Sequence, residues 1–216
     1  MPIHLKHSSK NESWAVWKIE ESESDLCGML SERECHLSVE HIKSPARRLE
    51  YLAVRLLCAD LIGSGFAIDY CEDGSPRLKS EGEYQFISIS HTKGYAAVYL
   101  HTSHPVGIDI EQYGEKVLRI RSKFINEEED KSLDPKELVS HLLIHWSAKE
   151  SLFKAMGQTG VDFRQHLHIH PFVPLSDGCF EAHETRTPQA NHYSIHYRVE
   201  SDFVLTRAIL LVPNLP

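Results

Sequence analysis

From Val139 to Met156 the chain contains no Gly or Pro. At about 100° per residue Val139, Leu142, Leu143, Trp146 and Phe153 gather into one apolar stripe, so the segment predicts a helix with a face to bury. Glu150 points out through that stripe, four residues after Trp146 and three before Phe153, with Lys149 and Lys154 flanking it. An ionised carboxylate buried without a partner costs several kcal/mol, so Glu150 must be paired, hydrogen-bonded or bound to a cation. Two readings stand open: an ion pair with Lys154 at i,i+4, or a functional carboxylate.

A second stretch bears on that choice. Pro105-Val106-Gly107-Ile108-Asp109-Ile110-Glu111 has the period of a strand, with Ile108 and Ile110 on one face and Gly107, Asp109 and Glu111 on the other. Gly107, lacking a side chain, leaves room for something to approach the backbone. Asp109 and Glu111 are either a solvated strand face or, with Glu150, three carboxylates. Such a set suits Mg²⁺ when phosphate oxygens and water fill its remaining positions.

Val-Gly-Ile-Asp-Ile-Glu followed in this order by Trp-Ser-Ala-Lys-Glu-Ser-Leu-Phe-Lys resembles the two signature motifs of the 4′-phosphopantetheinyl transferases. The type resembled is the larger, single-chain one that activates surfactin synthetase and other peptide-synthetase and fatty-acid carrier proteins. Members move phosphopantetheine from coenzyme A to a serine of an apo carrier protein. The resemblance implies an α+β fold of two similar halves in pseudo-twofold arrangement, each a small, mainly antiparallel sheet packed with a long helix. It is strongest between Phe86 and Gly157. A boundary near Thr102 to Pro105 suits this chain, giving an N-terminal, coenzyme A-binding half at 1–104 and a C-terminal half at 105–216 with the metal and the catalytic helix.

Composition bounds the rest. With 216 residues, 41% of them hydrophobic, the chain can bury a sizeable core without covalent staples. A formal charge of −8 argues against a general nucleic-acid binder. Five scattered cysteines without a Cys-x-x-Cys spacing indicate neither a disulfide framework nor a thiolate zinc site. The start of the chain lacks a long apolar run after basic residues, and no stretch approaches a membrane span. The expectation is a cytoplasmic protein with no membrane partner.

Along the chain, Ile3 to Leu5 and Trp14 to Ile19 read as strands, and Glu23 to His36 as a short helix. Ser44-Pro45 opens a helix that ends at Gly63, with Leu49, Leu52, Ala53, Leu56, Leu57 and Leu61 on its buried face. Its arginines, Arg47, Arg48 and Arg55, form either a solvated face or a phosphate-binding edge. The resemblance puts the 3′-phosphate of coenzyme A in this region, with Arg48 and Arg55 as candidates. Ala67 to Tyr70 reads as a strand before the turn Asp73-Gly74-Ser75-Pro76. The family usually has Gly-Lys-Pro there; Ser75 replaces the lysine, leaving Arg77 or Lys79 as substitutes. Tyr84 to Ser90 and Tyr95 to Leu100 form a hairpin. A histidine there is ordinarily an exposed ring; the resemblance assigns Ser90 and His91 to the coenzyme's phosphates.

Lys116 to Phe124 interleaves basic and apolar residues. This is either a solvated amphipathic element or, through Arg119, Arg121 and Lys123, a dock for an acidic carrier protein. Asp134 is the expected N-cap of the central helix. Val161 to His170, Tyr193 to Val199 and Phe203 to Val212 read as strands, the last of them central. A zinc site among His166, His168, His170, His192 and His196 is set aside, because strand-face histidines are usually solvated or hydrogen-bonded.

The resemblance then implies a mechanism. Asp109, Glu111 and Glu150 bind Mg²⁺; Glu150, directly or through a metal-bound water, is the base for the carrier's serine; Lys154 lies near the pyrophosphate, and Lys149 either does the same or holds the helix; Ser90 and His91 position phosphates. One chain supplying both halves implies a monomer. Two other classes fit the carboxylates: another Mg²⁺-dependent phosphoryl-transfer enzyme or hydrolase, and a non-catalytic module that holds carrier protein or coenzyme A.

Overall fold

The computed structural model describes residues 3–35 and 37–211, and the chain divides into two compact units, Met1–Ser103 and His104–Pro216. Each is α+β, an antiparallel sheet with helices. Among the described residues no helix is long and apolar enough to cross a membrane. The predicted ends at His36 and Val212 lie outside the described residues.

The first unit runs β1 (Ile3–Ser8), β2 (Glu12–Lys18), α1 (Glu23–Ser31), α2 (Pro45–Ile62), β3 (Phe66–Tyr70), β4 (Pro76–Ser80), β5 (Glu83–Thr92) and β6 (Tyr95–His101). Its sheet has the order β1-β2-β6-β5-β4-β3. The Ser44 hydroxyl accepts a hydrogen bond from the Arg47 amide, Pro45 begins α2, and Gly63 ends it, as the sequence predicts. Leu52, Leu56 and Leu57 on α2 are fully buried in a core shared with Trp17, Leu78 and Val98 from the strands. Helix α1 starts at a capping box between Ser22 and Asp25 and stops at Ser31. β5 and β6 pair from Phe86–His101 to Thr92–Tyr95, a tight hairpin that leaves Ser90 and His91 at its end.

The second unit runs β7 (Val106–Gln112), α3 (Lys116–Ile120), a 3₁₀ turn (Arg121–Lys123), α4 (Glu127–Ser132), α5 (Leu138–Met156), α6 (Phe163–His166), β8 (Leu167–Ile169), β9 (Asp177–Glu184), β10 (His192–Val199) and β11 (Phe203–Leu210). Its sheet has the order β7-β11-β10-β9-β8, so β11 is interior, as expected. Three expectations need correction. The strand predicted from Val161 to His170 is instead the short helix α6 followed by the three-residue β8; Asp162 caps α6 by accepting from the amides of Arg164 and Gln165. Helix α5 begins at Leu138, not after Asp134; the Asp134 carboxylate accepts from the Lys136 amide in the preceding turn. β9 was not foreseen, although Phe180, Ala182 and Glu184 alternate inward along it.

Of the predicted stripe of α5, Leu142 and Leu143 are buried in the core and Val139, Trp146 and Phe153 are partly buried against it, while Ser147, Ala148, Ser151 and Leu152, outside the stripe, are wholly buried. Ser147 Oγ lies 2.9 Å from Thr206 Oγ1 on β11, and Thr206 Oγ1 donates to Ser151 Oγ at 3.1 Å. Paired rows of the sheet beneath are Gly107–Ala208 and Asp109–Thr206. Small residues on both sides let the helix backbone settle close to β7, and the hydroxyls satisfy one another where water is absent.

Gly107 marks the closest approach. A Cβ there would lie 1.7 Å from the Ser151 carbonyl oxygen and 3.0 Å from the Ala155 amide nitrogen. The space at Gly107 is therefore filled by the backbone of α5. At the helix end Gly157 adopts φ 58°, the left-handed conformation that terminates a helix at least cost with glycine.

Gly107→Ala should therefore force α5 off the sheet and destabilise the protein by about 3 kcal/mol or more, measured by urea unfolding. Unchanged stability would mean that the helix is not seated against β7 in this way.

Candidate active site

Seating α5 on β7 sets the geometry of the acidic centre. Asp109 is 5% exposed on the β7 face toward α5. Lys154, one turn after Glu150, places Nζ 2.8 Å from Asp109 Oδ1 and 2.9 Å from the Ile108 carbonyl oxygen. The Lys154 ammonium is thus turned to Asp109, and the i,i+4 pairing with Glu150 is not the one formed. Glu111 Oε1 accepts a 2.7 Å hydrogen bond from Trp146 Nε1, fixing that carboxylate against the helix.

Glu150 is half-buried between these groups. Burial first, then the like charges of Asp109 and Glu111, against the opposing charge of Lys154, together push its carboxyl up to about 7. Burial and Asp109 also raise Glu111, against the hydrogen bond from Trp146 and the charge of Lys154. The three acids predicted to act together therefore do share one electrostatic environment. As the side chains stand, no three His, Cys, Asp or Glu groups among the described residues converge on one point. Glu111 is held by Trp146 and Asp109 by Lys154. The donor set nevertheless fits a hard divalent cation: all donors are oxygens, and their mutual repulsion is what such a charge would relieve.

Lys149 takes a different place from the one expected of a phosphate ligand. It is fully buried, and Nζ donates to the Phe124 carbonyl at 2.6 Å, Glu129 Oε2 at 2.7 Å and the Phe163 carbonyl at 3.0 Å. Burial lowers its pKa while Glu129 opposes that shift. Glu129 Oε1 in turn accepts the Ile169 amide, so this pair fastens α4, α5, α6 and β8 together. The three ammonium donors are satisfied internally, which makes Lys149 a pin of the helix.

In the first unit a cavity of about 450 Å³ is lined by residues that include Arg47, Glu50, Tyr51, Arg55, Ile89 and His91. Arg47 Nη1 lies 2.6 Å from His91 Nε2, and His91 Nδ1 lies 3.5 Å from Glu50 Oε2. A guanidinium only donates, so Nε2 accepts and the ring proton sits on Nδ1 toward Glu50. Arg55 is buried and stacks 3.4 Å over the Tyr51 ring at the cavity wall. Arg48 is elsewhere: Nε donates to Glu23 at 2.7 Å and Nη1 to the Ile42 carbonyl, fastening α2 to the segment before it and to α1. Of the two arginines singled out to bind phosphate, only Arg55 lines the cavity; Arg47, named with them but not singled out, lines it too, and Glu50 was missed. The spacing Arg47, Glu50, Tyr51, Val54 is one helical face and could have revealed it.

Ser90 is buried on β5 next to His91. Ser75 closes its own turn, amide and hydroxyl both donating to Asp73 Oδ1. Arg77 and Lys79 are exposed, on the face of β4 opposite buried Leu78. Neither replaces the absent lysine at the cavity wall, where Gly74 and Pro76 stand. In the second unit Arg119 and Lys123 are exposed, while Arg121 is ion-paired with Asp130. The groove beside them, about 680 Å³, is lined by Leu118 and Ile125 and by charges of both signs.

Residues 105–208, within the second unit, match the family model described as the 4′-phosphopantetheinyl transferase superfamily. That match covers the β7 carboxylates and the whole of α5. No curated protein matches the chain.

Because the charge of Asp109 helps to hold Glu150 protonated, Asp109→Asn should lower the Glu150 pKa from near 7 in metal-free protein. Carboxyl carbon NMR across pH 4 to 9 reads this directly. A Glu150 that titrates in the ordinary carboxylate range in both proteins would remove the coupling.

Proposed function

We propose that this protein transfers 4′-phosphopantetheine from coenzyme A to a serine of an apo carrier protein, with Mg²⁺ as cofactor and adenosine 3′,5′-bisphosphate as leaving group. The observation that carries the reading is Glu150 with a pKa raised to about 7 beside Asp109, Glu111 and Lys154, within the segment matching the superfamily. A carboxyl poised near neutrality suits proton transfer at physiological pH.

Asp109, Glu111 and Glu150 are the residues that would hold Mg²⁺. When bound, the cation neutralises charge on the pyrophosphate oxygens. Glu150 takes the proton from the carrier's serine hydroxyl as that oxygen bonds to the β-phosphorus. The bond from that phosphorus to the bridging pyrophosphate oxygen breaks, and the electron pair leaves with adenosine 3′,5′-bisphosphate. Lys154, released from Asp109, donates hydrogen bonds to the departing phosphate. With a cation held there, Asp109 would keep the compensation that the Lys154 ammonium gives it.

The cavity of the first unit supports the coenzyme assignment. Arg47, with His91, offers donors to phosphate, and the Arg55–Tyr51 stack offers a flat cationic wall. His91 and Ser90 remain the proposed phosphate ligands of β5, with Arg47 and Arg55 preferred to Arg48. The exposed Arg119 and Lys123 are the proposed dock for the acidic surface of a carrier, with Arg121, which lines the neighbouring groove, joining only if it leaves Asp130. The larger, surfactin-synthetase-activating type, a cytoplasmic location and a monomeric state belong to the same reading.

The test is intact mass spectrometry of an apo acyl carrier protein incubated with this protein, coenzyme A and Mg²⁺. A phosphopantetheine-sized gain, abolished by EDTA and by Asp109→Ala in a variant with unchanged circular dichroism, is expected. No gain on fatty-acid, polyketide and peptide-synthetase carriers would overturn it, and nucleotide hydrolysis without a carrier would put a hydrolase in its place.

A further inference from the structure

The outer face of the second unit's sheet carries a group of imidazoles that the proposed reaction does not use. His183 stands on β9 between two strands, with His168 on β8 and His192 on β10 as its direct cross-strand partners. His170, just after β8, donates its amide to the Glu181 carbonyl and so lies diagonal to His183. The ring centroids are 4.7 Å apart for His168–His183, 5.2 Å for His170–His183, 5.4 Å for His183–His192 and 6.1 Å for His170–His192. His170 Nε2 and His183 Nδ1 share one proton across 3.0 Å. The Glu181 carboxylate lies 4.0 Å from His170 Nδ1.

These spacings are those of ligands around one ion. Two imidazole nitrogens on a tetrahedral zinc, each about 2.0–2.1 Å from it, stand roughly 3.3 Å apart, and their ring centroids are about 5 Å apart. The His170–His183 pair is already within a few tenths of an ångström of that bite. As the rings stand, three donors do not converge; His192, exposed at the start of β10, must turn about its side-chain torsions to complete the set. Its exposure leaves that rotation open and gives an ion a way in. Imidazole is a borderline ligand suited to zinc, nickel and copper and poorly matched to magnesium.

We propose that His170, His183 and His192 bind a transition-metal cation of the zinc class, replacing the proton between His170 and His183, with water or Glu181 as the fourth ligand. The ion fastens β8, a three-residue edge strand, to β9 and β10. The site is separate from the oxygen donors Asp109, Glu111 and Glu150. Two neutral rings release no proton on binding, because the one between them moves to the far nitrogen of the donor ring, and each ring that is protonated releases one, so affinity falls as the pH falls and the imidazoles protonate. Burial and the neighbouring imidazoles hold the His183 pKa below its ordinary value, which keeps that ring neutral and available at pH 7.

The experiment is titration of the intact protein with Zn²⁺ at pH 7.5 against a chromogenic chelator, in excess Mg²⁺ so that the carboxylate centre is saturated, together with thermal melts. The wild type should hold a single equivalent and melt higher with it. His183→Ala and the exposed-site variant His192→Ala should each weaken binding by at least about tenfold and lose the melting shift, while His196→Ala, on the same face, changes neither. No tight equivalent in the wild type, undiminished binding in His192→Ala, or loss of binding in Asp109→Ala instead would each overturn the proposal.

Discussion

The short distance between α5 and β7 governs everything proposed for the acidic centre. Without a side chain at Gly107, and with Ser147, Ser151, Ala208 and Thr206 at the crossing, the helix backbone rests directly on the strand. Glu150 and Lys154 then reach the level of Asp109 and Glu111, which the helix could not achieve if ordinary apolar side chains separated the two elements. The cost of buried hydroxyls is met locally, since Ser147, Thr206 and Ser151 bond in sequence and Ser151 ends on the Ala148 carbonyl. A second fastening lies on another side of the helix, where Lys149 and Glu129 join α5 to α4, α6 and β8. Breaking one member would leave a buried charge exposed to the apolar interior, so the pair fixes orientation whatever its net energy.

Within that frame the electrostatics are unbalanced by construction. Three carboxylates share the space with one ammonium, and Lys154 compensates chiefly Asp109. Glu150, held back first by its burial and then by the uncompensated like charge, resists ionisation until near pH 7. A divalent cation there would restore the balance, lower the Glu150 pKa and free Lys154. The imbalance thus favours the first of the two roles proposed for Glu150, that of metal ligand.

Much of this was legible in the sequence. The period of two in Val-Gly-Ile-Asp-Ile-Glu gave the strand and its acidic face, and the cap and proline at Ser44-Pro45 gave α2 to the residue. The apolar stripe of α5 told only part: it marked the buried Leu142 and Leu143 along with the partly buried Val139, Trp146 and Phe153, but not the serines and alanines that meet the sheet, whose value lies in their size. Long side chains with specific partners were equally opaque. Nothing in the local pattern told Lys149, buried on Glu129, from Lys154, turned to Asp109, or Arg48, tied to Glu23, from Arg47 beside His91. β9 was obscured because it carries charge on its outer face, so His168, His170 and His192 could be grouped from spacing in the chain but His183, which stands between them, could not.

The central claim is that the face between β7 and α5 is a divalent-cation site. The most direct test is a crystal structure of the protein with coenzyme A and Mn²⁺, with anomalous scattering collected at the manganese edge. The account predicts a peak in contact with oxygens of Asp109, Glu111 and Glu150, with Lys154 moved off Asp109. A fully bound coenzyme with no anomalous peak there, or a peak on other side chains and Lys154 still on Asp109, would contradict it.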